Sequence, residues 1–203
     1  MNHFSGSPGN LPSKGAEDVW AVFAGSLGPS YDIDTLCDAS KMLKRSNSKI
    51  KIVVAGDGPK KAQVKNASNN PDCFNMLYLG TLSSDELAVL YSKCDIGLCA
   101  YSPSSNVEMP DKIYDYTAAC LPVVISLTGE AADIALNRGI GVSYKAGCAE
   151  NLVSKLNYIA SDTNILHAMS RASMELGAEF DIHVQYSKLL TVIDGIETIH
   201  RDS

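Results

Sequence analysis

The sequence predicts an α/β fold, a doubly wound parallel sheet of about six strands with flanking helices. Three observations carry this expectation. Short apolar runs alternate with helical stretches at least five times along the chain. The runs are apolar without a polar alternate face, as in strands covered from both sides. Several of them end in glycine-bearing turns that lead into the next helical stretch.

The elements follow in order. Residues 1–17 are rich in Gly, Ser, Pro and Asn and read as a flexible leader or interdomain linker, without the apolar stretch of a signal peptide. One domain is expected over 18–203. Its first strand is V-W-A-V-F-A from Val19 to Ala24, closed by Gly25. The turn G-S-L-G-P-S-Y-D then opens an amphipathic helix from Asp32 to Arg45, with Ile33, Leu36, Cys37, Ala39 and Leu43 inward. Ile50 to Ala55 is the second strand, and Gly56-Asp57-Gly58-Pro59 turns it into a helix bearing Lys60, Lys61 and Lys65. Met76 to Gly80 is the third. Ser83 or Ser84 caps the next helix, with Glu86 placed for a capping box. Asp95 to Ala100 is the fourth strand, followed by a loop from Tyr101 to Met109.

The stretch P-D-K-I-Y-D-Y-T-A-A-C-L-P-V-V, Pro110 to Val124, organises the rest. Pro110 suits the first position of a short helix through Cys120, and Val123-Val124-Ile125 is a buried fifth strand. Thr128-Gly129-Glu130 starts another helix and Gly139 to Val142 reads as a sixth strand. Three helical stretches close the chain, the last from Asp181 to His200.

Composition narrows the function. With 45% hydrophobic and 20% charged residues this is an ordinary globular chain, and a net charge of −6 argues against nucleic-acid binding. No run of about 20 apolar residues offers a transmembrane helix. The six cysteines form no C-x-x-C pair, so they read as reduced thiols of a cytoplasmic protein and not as metal ligands. The four histidines avoid the strand-end loops, which leaves no Ser-His-Asp order and no metal-ligand spacing. Neither the G-x-G-x-x-G fingerprint nor a P-loop is present.

In doubly wound sheets ligands bind beyond the carboxyl ends of the strands, so the loops after each strand hold the candidates. Gly25, Ser26 and Gly28 follow the first strand, where glycines let backbone approach a phosphate; the same residues also make a simple turn. Gly58 follows the second strand, and Thr81 and Leu82 the third. Glu108, Lys112 and Asp115 follow the fourth. A diphosphate needs a cation and a ribose diol needs a carboxylate, and this helix start supplies both. The same pair also fits a solvated i, i+3 ion pair. Gly129 and Glu130 follow the fifth strand, where the bland alternative is a helix cap.

Six pieces in order, A-G-S-L-G-P-S-Y-D, V-V-A-G-D-G-P, L-Y-L-G-T-L-S-S-D-E-L-A-V-L-Y, C-D-I-G-L, P-D-K-I-Y-D-Y-T-A-A-C-L-P-V-V and G-E-A-A-D-I with G-I-G-V, resemble the donor-binding carboxyl-terminal domain of group 1 GT-B glycosyltransferases. The resemblance runs from Trp20 to Tyr186 and is nearest to enzymes of surface-polysaccharide synthesis. It implies a Rossmann-like half of a GT-B fold that binds a UDP- or GDP-linked sugar and serves retaining transfer to an acceptor hydroxyl without a metal. By this likeness Asp115 stands at the second glutamate of the family's E-x7-E motif and holds the ribose. The first falls at Val107, with Glu108 the candidate substitute at the donor sugar. Ser26 replaces the usual arginine after the first strand, leaving Lys112 for the pyrophosphate with backbone amides near Gly28 and Gly129. Cys120 replaces the usual glycine before L-P-V-V.

The likeness further implies an amino-terminal acceptor half, or a separate acceptor subunit, through which any membrane contact would run. This half alone is expected to bind donor and not to turn over. Two rival readings stay open: half of a GT-B sugar-nucleotide epimerase, and a non-catalytic interaction module of the same fold.

Overall fold

The computed structural model describes residues 11–181. The expected terminal helix lies, beyond Asp181, outside the described residues. Six strands, β1 (Val19–Ala24), β2 (Ile50–Ala55), β3 (Met76–Tyr78), β4 (Ile96–Cys99), β5 (Val123–Ile125) and β6 (Gly141–Ser143), form one sheet in the order β3-β2-β1-β4-β5-β6. Every pairing in it is parallel. Seven helices connect and cover the strands: α1 (Ile33–Arg45), α2 (Lys61–Ser68), α3 (Ser84–Lys93), α4 (Asp111–Ala118), α5 (Glu130–Asn137), α6 (Ala149–Ala160) and α7 (Thr163–Phe180).

The strands lack a polar face because both faces are covered. On one side Ala21, Phe23, Ile52, Val54 and Leu98 pack under α1, α2 and α6 through Leu36, Leu43, Val64, Leu152 and Leu156. On the other, Trp20, Val22, Val53, Val123 and Ile125 pack under α3, α4, α5 and α7 through Leu90, Ile113, Tyr116, Ala131 and Leu176. Successive residues of β1 therefore serve opposite cores, as the strand period of two requires.

Local chemistry sets most boundaries. Ser83 caps α3: its Oγ accepts from the Glu86 amide at 3.3 Å, and the Glu86 carboxylate accepts from the Ser83 amide at 2.8 Å. The sixth strand begins two residues later than its apolar pattern suggests, because Gly139 at φ 64° ends the α5 turn and Ile140 reaches into the core. Pro110 is extended (φ −82°, ψ 137°) and precedes the first helical residue. Helix α4 stops at Ala118, and Cys120 takes φ 58°, a left-handed backbone that favours glycine. Within the expected leader, the Lys14 ammonium donates to Asp95 at 2.5 Å and to the Lys93 carbonyl at 3.0 Å.

Candidate functional site

The site grows from a fork in the sheet. β1 pairs with β2 along its whole length, from Val19↔Ile50 to Ala24↔Ala55, but with β4 only at Ala21↔Ile96 and Val22↔Gly97. Beyond Val22, strands β1 and β4 diverge. Strand order reverses here, the point at which open α/β sheets offer a crevice.

Helix α4 fills the fork with two side chains four residues apart. The fully buried Tyr116 lays its ring over Gly97, where a Cβ would collide with it. Its hydroxyl accepts from the Ala24 amide at 3.3 Å and lies 3.2 Å from the Val22 carbonyl and 3.4 Å from that of Leu98. Lys112, 7% exposed, passes beside it and donates to the Ala24 carbonyl at 2.6 Å. Its ammonium also stands 4.9 Å from the centre of the Phe23 ring and 4.8 Å from that of Tyr31. Burial holds the ammonium below the ordinary lysine pKa of 10.5, with Cys99, Asp115 and Asp111 pulling weakly the other way. This is not a solvated i, i+3 pair: the lysine turns inward while Asp115 stays exposed.

Gly25 completes the seat. Its φ of 150° lies in the glycine-favoured region, and a Cβ there would run into the Lys112 ammonium. Gly25, Ser26, Thr81, Leu82, Lys112 and Asp115 line one cleft of about 400 Å³ at the ends of β1 and β2, with Leu87 and Tyr91 of α3 behind them. Asp115, Leu87 and Tyr91 also border an adjoining groove of about 530 Å³ between α3 and α4. Partial burial raises the Asp115 carboxyl above 3.8, against the opposing pull of Lys112.

The remaining expected residues go elsewhere. Glu108, Gly129 and Glu130 line a second, larger cleft of about 920 Å³ beyond β4, β5 and β6, with Val107, Thr128, Tyr144 and Lys145. Its walls are tied from within. The buried Ser126 hydroxyl accepts from the Tyr101 amide at 2.7 Å and has the Tyr101 and Cys99 carbonyls, at 2.9 and 3.2 Å, as acceptors for its one proton. Asp32 accepts from the Gly147 amide at 2.8 Å. Neither Gly28 nor Gly58 lines these clefts. Gly28 is buried behind Ser26, and Gly58, at φ 152°, leaves room for the Leu27 backbone, which a Cβ would meet at 2.8 Å.

The pattern reading thus brings six of its residues together and separates three. It missed Tyr91, which lines the first cleft, Phe23 and Tyr31, which face the Lys112 ammonium, Tyr116 in the fork, and Lys145 in the second cleft. Tyr116 carried a signal: it lies one helical turn from Lys112, so both must reach the same strand ends. Among the described residues, no group of three or more His, Cys, Asp or Glu is placed to hold a metal ion.

Comparison with known proteins gives this geometry a context. HepE from Anabaena, solved in complex with UDP, superposes with a TM-score of 0.72 at 16% identity, covering 89% of this chain and 50% of that one. The C-terminal domain of LpcC, a group 1 glycosyl transferase from Francisella tularensis, matches at TM-score 0.66 and 15% identity over 80% of this chain and 85% of that one. By sequence, the chain is 24% identical over 157 residues to the chitobiosyldiphosphodolichol beta-mannosyltransferase of Candida albicans, covering 74% of this chain but 34% of that protein. It thus spans about a third of that relative's length. The family model for group 1 glycosyl transferases matches residues 12–175. A six-stranded parallel sheet of this order and a family match spanning all six strands point the same way: the chain belongs to the group 1 glycosyl transferases.

Proposed function

We propose that residues 18–203 form the part of a glycosyltransferase that binds a nucleotide-diphospho-sugar, UDP- or GDP-linked, for transfer of its sugar to an acceptor hydroxyl. One observation carries this reading. Lys112 is almost wholly buried, its ammonium has one hydrogen-bond acceptor and no carboxylate in salt-bridge contact among the described residues, and it borders an open cleft across Gly25. A buried cation with no carboxylate in contact is costly, and a diphosphate would supply the paired charge. That HepE was solved with UDP and glucose supports the same assignment.

In this reading Asp115 accepts from the ribose hydroxyls, and Lys112, with backbone at Gly25 and Ser26, receives the diphosphate. Thr81 and Leu82 border the nucleoside. Glu108, Gly129 and Glu130 in the larger cleft face the sugar. As the sugar's anomeric carbon leaves the phosphate oxygen for the acceptor oxygen, negative charge grows on the diphosphate. A preplaced ammonium stabilises that charge without reorganising. The wider reading is a role in polysaccharide or glycoconjugate synthesis at the cytoplasmic side, with the acceptor held by an amino-terminal half or a partner subunit. Alone, this part binds donor and does not turn over. Retention is the expected course, and the anomeric configuration of the whole enzyme's product tests it.

Isothermal titration with UDP, GDP and ADP tests the core of the proposal: at least one binds, and Asp115→Ala abolishes it. Failure of all three would instead favour an interaction module. That second reading draws on Ser26 and the exposed Val107 standing where the family keeps an arginine and a glutamate.

A further inference from the structure

We infer that Tyr116 is a positioning residue for the diphosphate, acting through the Ala24–Gly25 backbone and Lys112; this rests on the nucleotide-sugar reading above. In a parallel strand, successive amides point to opposite neighbours. The Gly25 amide donates to Ala55 of β2 at 3.0 Å, so the Ala24 amide faces β4, which has already diverged. The Tyr116 hydroxyl is its acceptor in the structure. The carbonyl of the same residue takes the Lys112 ammonium. Both polar groups of one peptide-flanking residue are thus held by α4, and the next residue is the glycine whose backbone opens on the cleft. A fixed peptide at Ala24–Gly25 sets where the ammonium and the turn stand before ligand arrives, which is what preorganised charge stabilisation needs.

The ring and the hydroxyl have separate duties. The ring packs over Gly97 and meets Tyr91 edge-on at 5.5 Å between centroids, so it serves the core. Among the described residues the hydroxyl's hydrogen-bond partners are all backbone groups of the fork. Tyr116→Phe removes the second duty and keeps the first. Thr117→Val is the matched control: it deletes a buried hydroxyl from the same helix, one bonded to the Ile113 carbonyl at 2.7 Å and touching neither fork nor cleft.

The experiment titrates the full chain and both variants with UDP and GDP, and with uridine and guanosine as phosphate-free probes, by NMR. Tyr116→Phe is expected to weaken diphosphate binding about tenfold, an equilibrium shift of about 1.4 kcal/mol, while nucleoside shifts stay as in the parent. It is also expected to move the Ala24 and Gly25 amide resonances before ligand is added. Thr117→Val should do neither at comparable loss of thermal stability. Equal diphosphate affinity in Tyr116→Phe and parent, or equal weakening by both variants, overturns the inference while leaving nucleotide binding itself intact. If the parent binds neither UDP nor GDP, the nucleotide-sugar reading falls and takes this one with it.

Discussion

Replacing Lys112 by Met separates binding from stability, because binding uses the charge of the ammonium while its costs and gains in the fold nearly cancel. Burying an ammonium costs several kcal/mol. In the ligand-free protein this is offset by the charge-assisted bond to the Ala24 carbonyl, about 1.5–3 kcal/mol. The Phe23 and Tyr31 faces add about 0.5–2 kcal/mol. The two sides nearly cancel, so a methionine of similar length should change unfolding free energy by within about 1 kcal/mol, or about 2–4 °C in Tm for a chain of this size. Binding should behave otherwise. A unit charge about 4 Å from a phosphate is worth about 4 kcal/mol at an effective dielectric of about 20. Allowing for water that enters in its place, a loss of about 2–3 kcal/mol is expected, about 30- to 150-fold in Kd. Calorimetric titration with UDP and GDP beside a thermal melt reads both quantities. An unchanged Kd in Lys112→Met would show that the ammonium serves the fold alone. A large fall in Tm would show that its contacts outweigh its burial cost, which the reasoning denies.

Three further outcomes are expected. Asp115→Asn should weaken ribonucleotide binding about 10- to 100-fold, the worth of charge-assisted bonds to the ribose, and leave a 2′,3′-dideoxynucleotide little affected, as titration of the pair would show. Gly177→Ala should cost about 1–2 kcal/mol in denaturant melts: a Cβ there would meet the Thr117 carbonyl oxygen at 2.6 Å, and overpacking exceeds the helix-propensity gain of about 1 kcal/mol. Nucleotide affinity should fall as pH rises through the Lys112 pKa, below 10.5, and again as pH drops through that of Asp115, above 3.8. For folding the lysine has the other sign. Between its lowered folded value and 10.5 the unfolded chain holds more protons, so stability rises with pH there, which pH-dependent melts would detect.

Much of the fold was legible because it rests on local rules. The β1 and β2 boundaries coincide with apolar runs that end at Gly25 and Gly56, and the α3 start follows from Ser83 and Glu86. The clefts were less so. Periodicity places Lys112 and Asp115 on neighbouring positions of one helix but does not say that one turns under the strand ends and the other stays exposed at the cleft. That depends on how far β1 and β4 pair, a long-range property that shows in the sequence only as Gly97 facing Tyr116. Glu108 reads as a neighbour of Lys112 along the chain, yet it lines a different cleft, because the run from Val107 to Pro110 carries the chain from one strand-end group to another. Gly58, a candidate because it follows the second strand, serves the packing of two turns on each other.

The source of the cation has a mechanical consequence. Where the usual group 1 pattern has an arginine on the loop after the first strand, this chain has the exposed Ser26, and its buried cation comes from α4 below the loop. Asp115 stands on the same helix, so both handles proposed for the nucleotide move as one body with α4. That helix is held on its inner side by Tyr116 in the fork. On its outer side α7 holds it, through Gly177 against the Thr117 backbone, Ser170 donating to the Cys120 carbonyl at 2.7 Å, and Phe180 edge-on to Tyr114. A loop-borne cation can adjust to its ligand independently of the ribose carboxylate; a helix-borne one cannot. The spacing between the proposed ribose and diphosphate contacts would thereby be set by the helix before binding, and α7, which does not line the cleft, would share in setting it.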